Sequence, residues 1–358
     1  MKKYFIVLAI FTLFFGCGRV GSESDSIGTF GTKSDGKNDF DIILKSQYIQ
    51  DGSSYIKQGH YSLLFKYSGN STNLDGVLFE NGSKYSSSES REAKVVIDPS
   101  SNSITNNILL LLDFSGSIIN DYSSQLKKSV ISFIDGVEKS KVKIAIYYLN
   151  SKKTITPIVA EPMDSVGLKV TIENILNDLY FNRIIEENLI STNLYGATIE
   201  ATEIACKWVG DCSSDTFSSE PTLDIDNFEF ASVVVFTDGR DQAGWAEERE
   251  MIDAINNNKA LFYQGVGVGK DVDKNLIEIL STDKGIYEEE LNTKSIESAF
   301  DKLTIWANSF YEARYCPADQ KDSVDIEIQV EDSQGLIGTI REKGVKLINS
   351  EEFRCDIP

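Results

Sequence analysis

Asp113-Phe114-Ser115-Gly116-Ser117 carries one carboxylate and two hydroxyls within five residues. Two more stretches have the same character, Ser191-Thr192-Asn193 and Thr237-Asp238-Gly239. All of these side chains are hard oxygen donors, the kind that Mg²⁺ takes in near-octahedral arrangements while it keeps some of its waters. The three stretches hold no imidazole or thiolate, and the chain has a single histidine, His60. That argues against zinc of the Cys/His kind. A plainer reading stands beside the chemical one. Ser, Thr and Asp cap helices and close turns, and short motifs of this sort recur by chance. What separates the two readings is whether the elements bring the three stretches together.

Each stretch stands at an element boundary. Ile108 to Leu112 is a continuous apolar run, as expected of a strand covered on both faces, and a helix over Tyr122–Lys139 follows it. Strands are predicted at Val142–Leu149 and near Ile155–Val159, then helices at Val166–Phe181 and Leu194–Val209. The bare apolar run Ala231–Phe236 is the next strand. After it come helix Ala246–Asn256, strand Ala260–Val266, helix Asp273–Leu280, a short strand near Ile286–Glu288 and helix Thr293–Ala313. Strands alternating with helices predict an α/β fold with a doubly wound, mainly parallel sheet, whose ligands sit beyond the carboxyl ends of the strands.

The flanks read differently. Tyr61, Leu63, Phe65 and Tyr67 alternate with other residues, and Glu80-Asn81-Gly82-Ser83 is a hairpin signal. Val324, Ile326, Ile328 and Val330 alternate in the same way, with further strands expected at Ile337–Arg341 and Val345–Ile348. The expected division is therefore a β-rich unit at 39–104, the α/β domain at 105–312 and a β extension at 313–358. The two flanking parts are expected to leave the α/β domain at the end opposite the oxygen-rich loops and to pack together.

The three stretches, in this order and on these elements, closely resemble the metal-ion-dependent adhesion site of von Willebrand factor A-type domains. The D-x-S-x-S of Asp113–Ser117 matches the first loop, Ser191-Thr192-Asn193-Leu194-Tyr195-Gly196-Ala197 the threonine loop, and Val233 to Gly239 the strand ending in T-D-G. The resemblance implies that Asp113, Ser115, Ser117, Thr192 and Asp238 hold one divalent ion, Mg²⁺ or alternatively Mn²⁺ or Ca²⁺. It further implies that a protein ligand completes the ion's shell with an Asp or Glu side chain. Asp241 and Asn193 stand next to the site as candidates for supporting or ligand-touching roles.

The N-terminus reads as an export signal. Lys2 and Lys3 precede an apolar run from Tyr4 to Phe15, and Gly16-Cys17-Gly18 follows. The junction resembles a bacterial lipoprotein box with lipidation at Cys17, followed by a flexible tether over residues 18–38. A lipid-anchored protein of the bacterial envelope is expected, with Gly18 pointing to the outer membrane. The remaining cysteines, Cys206, Cys212, Cys316 and Cys355, suit two disulfides; three pairings are open, with Cys206–Cys212 favoured because the two are close in sequence and Cys316–Cys355 because they bracket one compact C-terminal segment.

Other functions fit less well. A net charge of −20 makes nucleic acid a poor partner. Gly265-Val266-Gly267-Val268-Gly269-Lys270 lacks the spacing and the ending of nucleotide-binding glycine loops and reads as a structural turn. No G-x-S-x-G elbow accompanies His60, so a hydrolase is the least favoured reading and no enzyme is expected. Trp208, Trp245 and Trp306 are expected to be buried. The expectation is a metal-dependent protein-binding lipoprotein; the alternative is an envelope scaffold or assembly factor that uses the fold without metal-regulated binding.

Overall fold

The computed structural model describes backbone and side chains at residues 104–175, 180, 191–209, 229–258, 261–282 and 284–311, and the backbone of the outlying strands named below. The central sheet has six strands: β6 (Ile104–Asp113), β7 (Val142–Leu149), β8 (Thr156–Met163), β10 (Phe228–Thr237), β11 (Leu261–Val268) and β12 (Ile286–Glu288). Their spatial order is β12-β11-β10-β6-β7-β8. All neighbours are parallel except the edge strand β8, which runs antiparallel to β7. This is the doubly wound, mainly parallel α/β sheet that the alternation of elements predicts.

Helices cover both faces because β6 is apolar on both. Every residue of β6 is buried. Ile108, Leu110 and Leu112 face one layer, made by α1 (Gly116–Gly136), α2 (Ser165–Ile175) and α6 (Thr293–Ala307). Leu109 and Leu111 face the other, made by α3 (Leu194–Val209), α4 (Glu248–Asn257) and α5 (Lys274–Ile279). The period of two on the strand thus sorts leucines between two cores. On α3 the buried residues are Leu194, Ala197, Thr198, Ala201, Thr202 and Ala205, and the three alanines let the helix lie close to the sheet.

The glycine string behaves only partly as a turn. Gly265 and Gly267 lie inside β11, where α5 crosses it closely. A Cβ on Gly265 would come within 2.6 Å of the Ile277 carbonyl oxygen, and one on Gly267 within 2.6 Å of Val272 Cγ1. Gly269 alone makes the turn, at φ +116°.

Helix α6 stops at Ala307, six residues before the expected Ala313. Asn308 ends it: its side chain donates to the Gly136 carbonyl (2.9 Å) and accepts from the Glu138 amide (2.8 Å), joining the ends of α1 and α6. The chain then enters β13 (Phe310–Tyr315), and Phe310 packs against Phe230, Phe262 and Trp306 at the lower rim of the sheet. The apolar spacing that suggested a longer helix is satisfied by this cluster instead. Trp245 also departs from expectation, being 53% exposed, while Trp306 is buried and Trp208 half-buried.

The flanks share two further sheets. The first holds β1 (Phe40–Asp51), β2 (Lys57–Tyr67), β5 (Val95–Ile97), β9 (Thr222–Leu223), β13 and β16 (Phe353–Cys355). The second holds β3 (Asp75–Glu80), β4 (Ser83–Tyr85), β14 (Ser323–Asp332) and β15 (Gly335–Lys346). Strands from before and after the α/β domain pair in both, β13 with β2 and β5 in the first and β14 with β3 in the second, and β9 joins the first from within the α/β stretch. Glu80 pairs with Ser83 across Asn81-Gly82, as the hairpin signal predicts. The two strands expected over 337–348 are one, β15, with a register shift. Among the described residues no helix is long and apolar enough to cross a membrane. Cys206 is disulfide-bonded. The side chains of Cys212, Cys316 and Cys355, and all of residues 1–39 with Cys17, lie outside the described residues, as does His60's side chain.

Candidate metal centre

The order of the strands decides where a site can form. From β6 the chain moves through α1 to β7 on one side, and later through α3 to β10 on the other. The two loops that leave β6 and β10 therefore diverge, and a crevice opens between them at the carboxyl end of the sheet. Asp113 ends β6, and Thr237 ends β10 with Asp238 next. Because β6 and β10 are paired in register, with Leu112 opposite Phe236, the two motifs meet at one level.

Hydrogen bonds lock them together. The Ser115 hydroxyl donates to Asp238 Oδ1 at 2.9 Å, and Ser115 and Ser117 hydroxyls are 3.2 Å apart. Asp113 accepts from the Ser115 amide at 2.9 Å and from the Thr237 hydroxyl at 2.6 Å. A cleft of about 620 Å³ opens over this group, lined by Ser115, Ser117, Thr192 and Asp238 among others. Asp113 is fully buried behind the cleft, with both carboxylate oxygens engaged. Four of the five expected residues thus line one cavity, and the fifth supports it from below. Thr237, which holds Asp113, was not singled out from the sequence, although its place in T-D-G beside Asp238 was the available signal.

The capping alternative is now testable residue by residue. Ser115 occupies the N-cap position of α1, yet its side chain makes no capping bond. Its hydroxyl goes to Asp238 instead. Thr192 does not cap α3 either. Asp241 does, accepting from the amides of Leu194 (2.7 Å) and Tyr195 (3.2 Å). The Thr192 hydroxyl makes no hydrogen bond within the described residues and lines the cleft, while its carbonyl accepts from the amides of Gln242 and Ala243. Asp241 also accepts from the Gly244 amide, at a turn with φ +63°, so one carboxylate ties the loop after β10 to the start of α3. Asn193 is likewise structural: its amide group donates to the carbonyls of Lys152 and Lys153.

The electrostatics of the site ask for a positive charge. Burial, then the nearby Asp238 carboxylate, push Asp113 up to about 7 against the opposing bonds from Thr237 and Ser115. Asp238 is raised as well, by burial first, with the Ser117 and Ser115 hydroxyls pulling the other way and Asp271 adding repulsion. Two carboxylates held at close quarters in a low-dielectric setting are costly unless a cation compensates them. Among the described residues no three or more His, Cys, Asp or Glu side chains are grouped so that they could hold a metal ion by themselves, and the donor set here is two carboxylates and three hydroxyls. That set fits a hard, oxygen-seeking dication such as Mg²⁺ or Mn²⁺ and gives zinc no soft ligand.

No family model and no curated protein matches the chain. Among solved structures, proximal thread matrix protein 1 from the mussel byssus, with a zinc-occupied MIDAS motif, is 15% identical, with a TM-score of 0.41. The match covers 56% of this chain and 47% of that one, so the chain spans about half the length of the mussel protein. The manganese-loaded TRAP protein of Plasmodium vivax is 11% identical, covering 79% and 100%, with a TM-score of 0.38. BatB from Bacteroides thetaiotaomicron is 14% identical, covering 55% and 98%, with a TM-score of 0.35. These likenesses are distant and carry no function over; the fold rests on the sheet order and connections described above.

Proposed function

We propose that this chain binds another protein through one divalent cation held in the cleft between the β6–α1 and β10–α4 loops. The observation that carries the reading is the diverted hydroxyl of Ser115. It stands where a helix cap belongs and turns instead to Asp238, beside Ser117 and a Thr192 hydroxyl with no partner among the described residues. Ser115, Ser117 and Thr192 would offer neutral oxygens, and Asp238 a charged one. Asp113, with both oxygens held by the protein, would act from behind through bound water. A cation there supplies an electrophilic position that a ligand carboxylate can fill. Thr237, through Asp113, and Asp241, through the start of α3, keep the donors in place without touching the ion.

The rest of the reading concerns where the protein sits. The lysines and apolar run before Cys17 support export and lipid anchoring in a bacterial envelope, with the outer membrane favoured. The flanking sheets leave the lower rim, away from the cleft, so an anchored chain would present the cleft outward.

Two measurements test this. Calorimetry on the purified protein should show one Mg²⁺ or Mn²⁺ per chain, and Ser115→Ala/Ser117→Ala should weaken it by about 100-fold or more, each tenfold being about 1.4 kcal/mol. Pull-down from envelope extract in Mg²⁺ and in EDTA should recover a prey only with the cation, and the double variant should lose the same prey. Prey recovered equally in EDTA would support the scaffold reading instead; absence of ion uptake would remove the metal centre.

A further inference from the structure

We propose that the ligand is a doubly acidic peptide segment, with one carboxylate for the cation and a second for Lys270, seconded by Arg240. This rests on the metal-dependent reading above and names the chemistry that the cleft selects.

The chain is strongly acidic, at −20, yet the cleft beside the metal donors carries two cationic side chains, Arg240 and Lys270. Both are exposed. Lys270 enters none of the ion pairs or side-chain hydrogen bonds formed among the described residues, and Arg240 spends only its Nε, on the Asp271 carbonyl at 3.2 Å. Both residues line the cleft.

Their backbones are held rigidly next to the ion's donors. Arg240 is two residues beyond Asp238. Lys270 follows Gly269, whose amide donates to the Glu288 carbonyl (2.8 Å) and whose carbonyl accepts from the Tyr287 hydroxyl (3.1 Å). A Cβ built on Gly269 would lie 3.8 Å from the Asp238 carbonyl oxygen, so the loop carrying Lys270 lies directly against the loop carrying the metal donor. Glycine at φ +116° permits that approach.

Charge balance gives the cleft its polarity. Asp238 and Asp271 line the cleft and Asp113 lies behind it; with all three ionised, as beside a bound cation, they contribute three negative charges against two positive from Arg240 and Lys270. A dication turns that into four positive against three negative. The bound cation thus strengthens the cleft's attraction for an anion, and after one ligand carboxylate meets the ion, Arg240 and Lys270 remain for a second. A neutral or basic neighbour of the first acid would leave them unmatched.

The probe is a phage library of random linear peptides panned on the full chain in Mg²⁺ and in EDTA. Peptides enriched only in Mg²⁺ should carry two acidic residues a short spacer apart. Lys270→Gln should weaken those peptides by about tenfold, and Arg240→Gln by less, as expected for a charge at the rim of a contact. Calorimetry should show Mg²⁺ affinity of Lys270→Gln within about twofold of the parent, so that the loss belongs to the peptide contact and not to the ion. Mg²⁺-dependent peptides with a single acid, or doubly acidic ones that bind Lys270→Gln at full strength, would overturn the second contact and leave the metal reading standing. A library that yields nothing Mg²⁺-dependent would overturn both.

Discussion

Asp113 carries the sharpest prediction at the scale of single residues. Burial and Asp238 hold it near 7 in the cation-free protein, against an ordinary 3.8. Between those values the folded state keeps a proton that the unfolded chain has lost. Asp113 therefore stabilises the cation-free fold at low pH, and that contribution is lost as pH rises through about 7. With EDTA present, melting of the parent relative to Asp113→Asn should fall between about pH 5 and about pH 8. Mg²⁺ should restore the loss at the higher pH, because the ion replaces the proton as partner of the carboxylates. Near neutrality its uptake should also release protons, visible as a dependence of the calorimetric heat on the buffer's ionisation enthalpy. A rise in the EDTA difference toward pH 8 would mean that Asp113 is already ionised, and the electrostatic case for the cation would fail.

The elements around the site do their work through two close approaches. Asp241 links the loop after β10 to the first turn of α3 by two hydrogen bonds and braces its own loop with a third, from Gly244. Asp241→Ala should cost about 1 kcal/mol for the lost helix cap. Because Thr192 immediately precedes that turn, ion affinity should fall with it, whereas an equally destabilising change far from the cleft should leave affinity alone. Comparing urea midpoints with Mg²⁺ titrations separates the two effects. Gly265 is the other approach. Its missing side chain lets Ile277's backbone sit on β11, and Gly265→Ala should destabilise by about 1–3 kcal/mol through overpacking. An unchanged urea midpoint for that variant would show that α5 can move away freely.

For the molecule as a whole, the two ends of the sheet have separate tasks. The upper rim holds the cleft. The lower rim holds Phe230, Phe262, Trp306 and Phe310, where α6 turns into β13 and the flanking sheets begin. Phe310→Ala should lower stability by about 3–5 kcal/mol, as for other buried aromatic truncations. Mg²⁺ affinity of the molecules that remain folded should be unchanged, since the strands are rigid and the cleft lies at the opposite end. Loss of ion binding in proportion to the loss of stability would instead indicate that the lower rim shapes the site. Saturating Mg²⁺ should stabilise the fold by about 2.7 kcal/mol at a hundredfold excess over the dissociation constant, read as a rise in melting point.

Local pattern in the sequence was enough to predict the class of fold, and the resemblance carried by three short motifs singled out the oxygen-bearing residues that line or back the cleft. Bare apolar runs such as Ile108–Leu112 and Ala231–Phe236, short and bounded by turn residues, read as central strands, and Asp113, Ser115, Ser117, Thr192 and Asp238 stand where those strands or the following helices begin and end. Register between strands far apart in the chain is a different matter. It brought Asp238 to Ser115 across more than a hundred residues, placed Asp113 behind the cleft rather than in it, and set Lys270 beside the donors. It also ended α6 early, because Asn308 found the end of α1 and Phe310 found an aromatic cluster. Periodicity reports which face of an element is apolar; it does not report what that face will meet, and burial, charge and hydrogen-bond choice are settled only by the meeting.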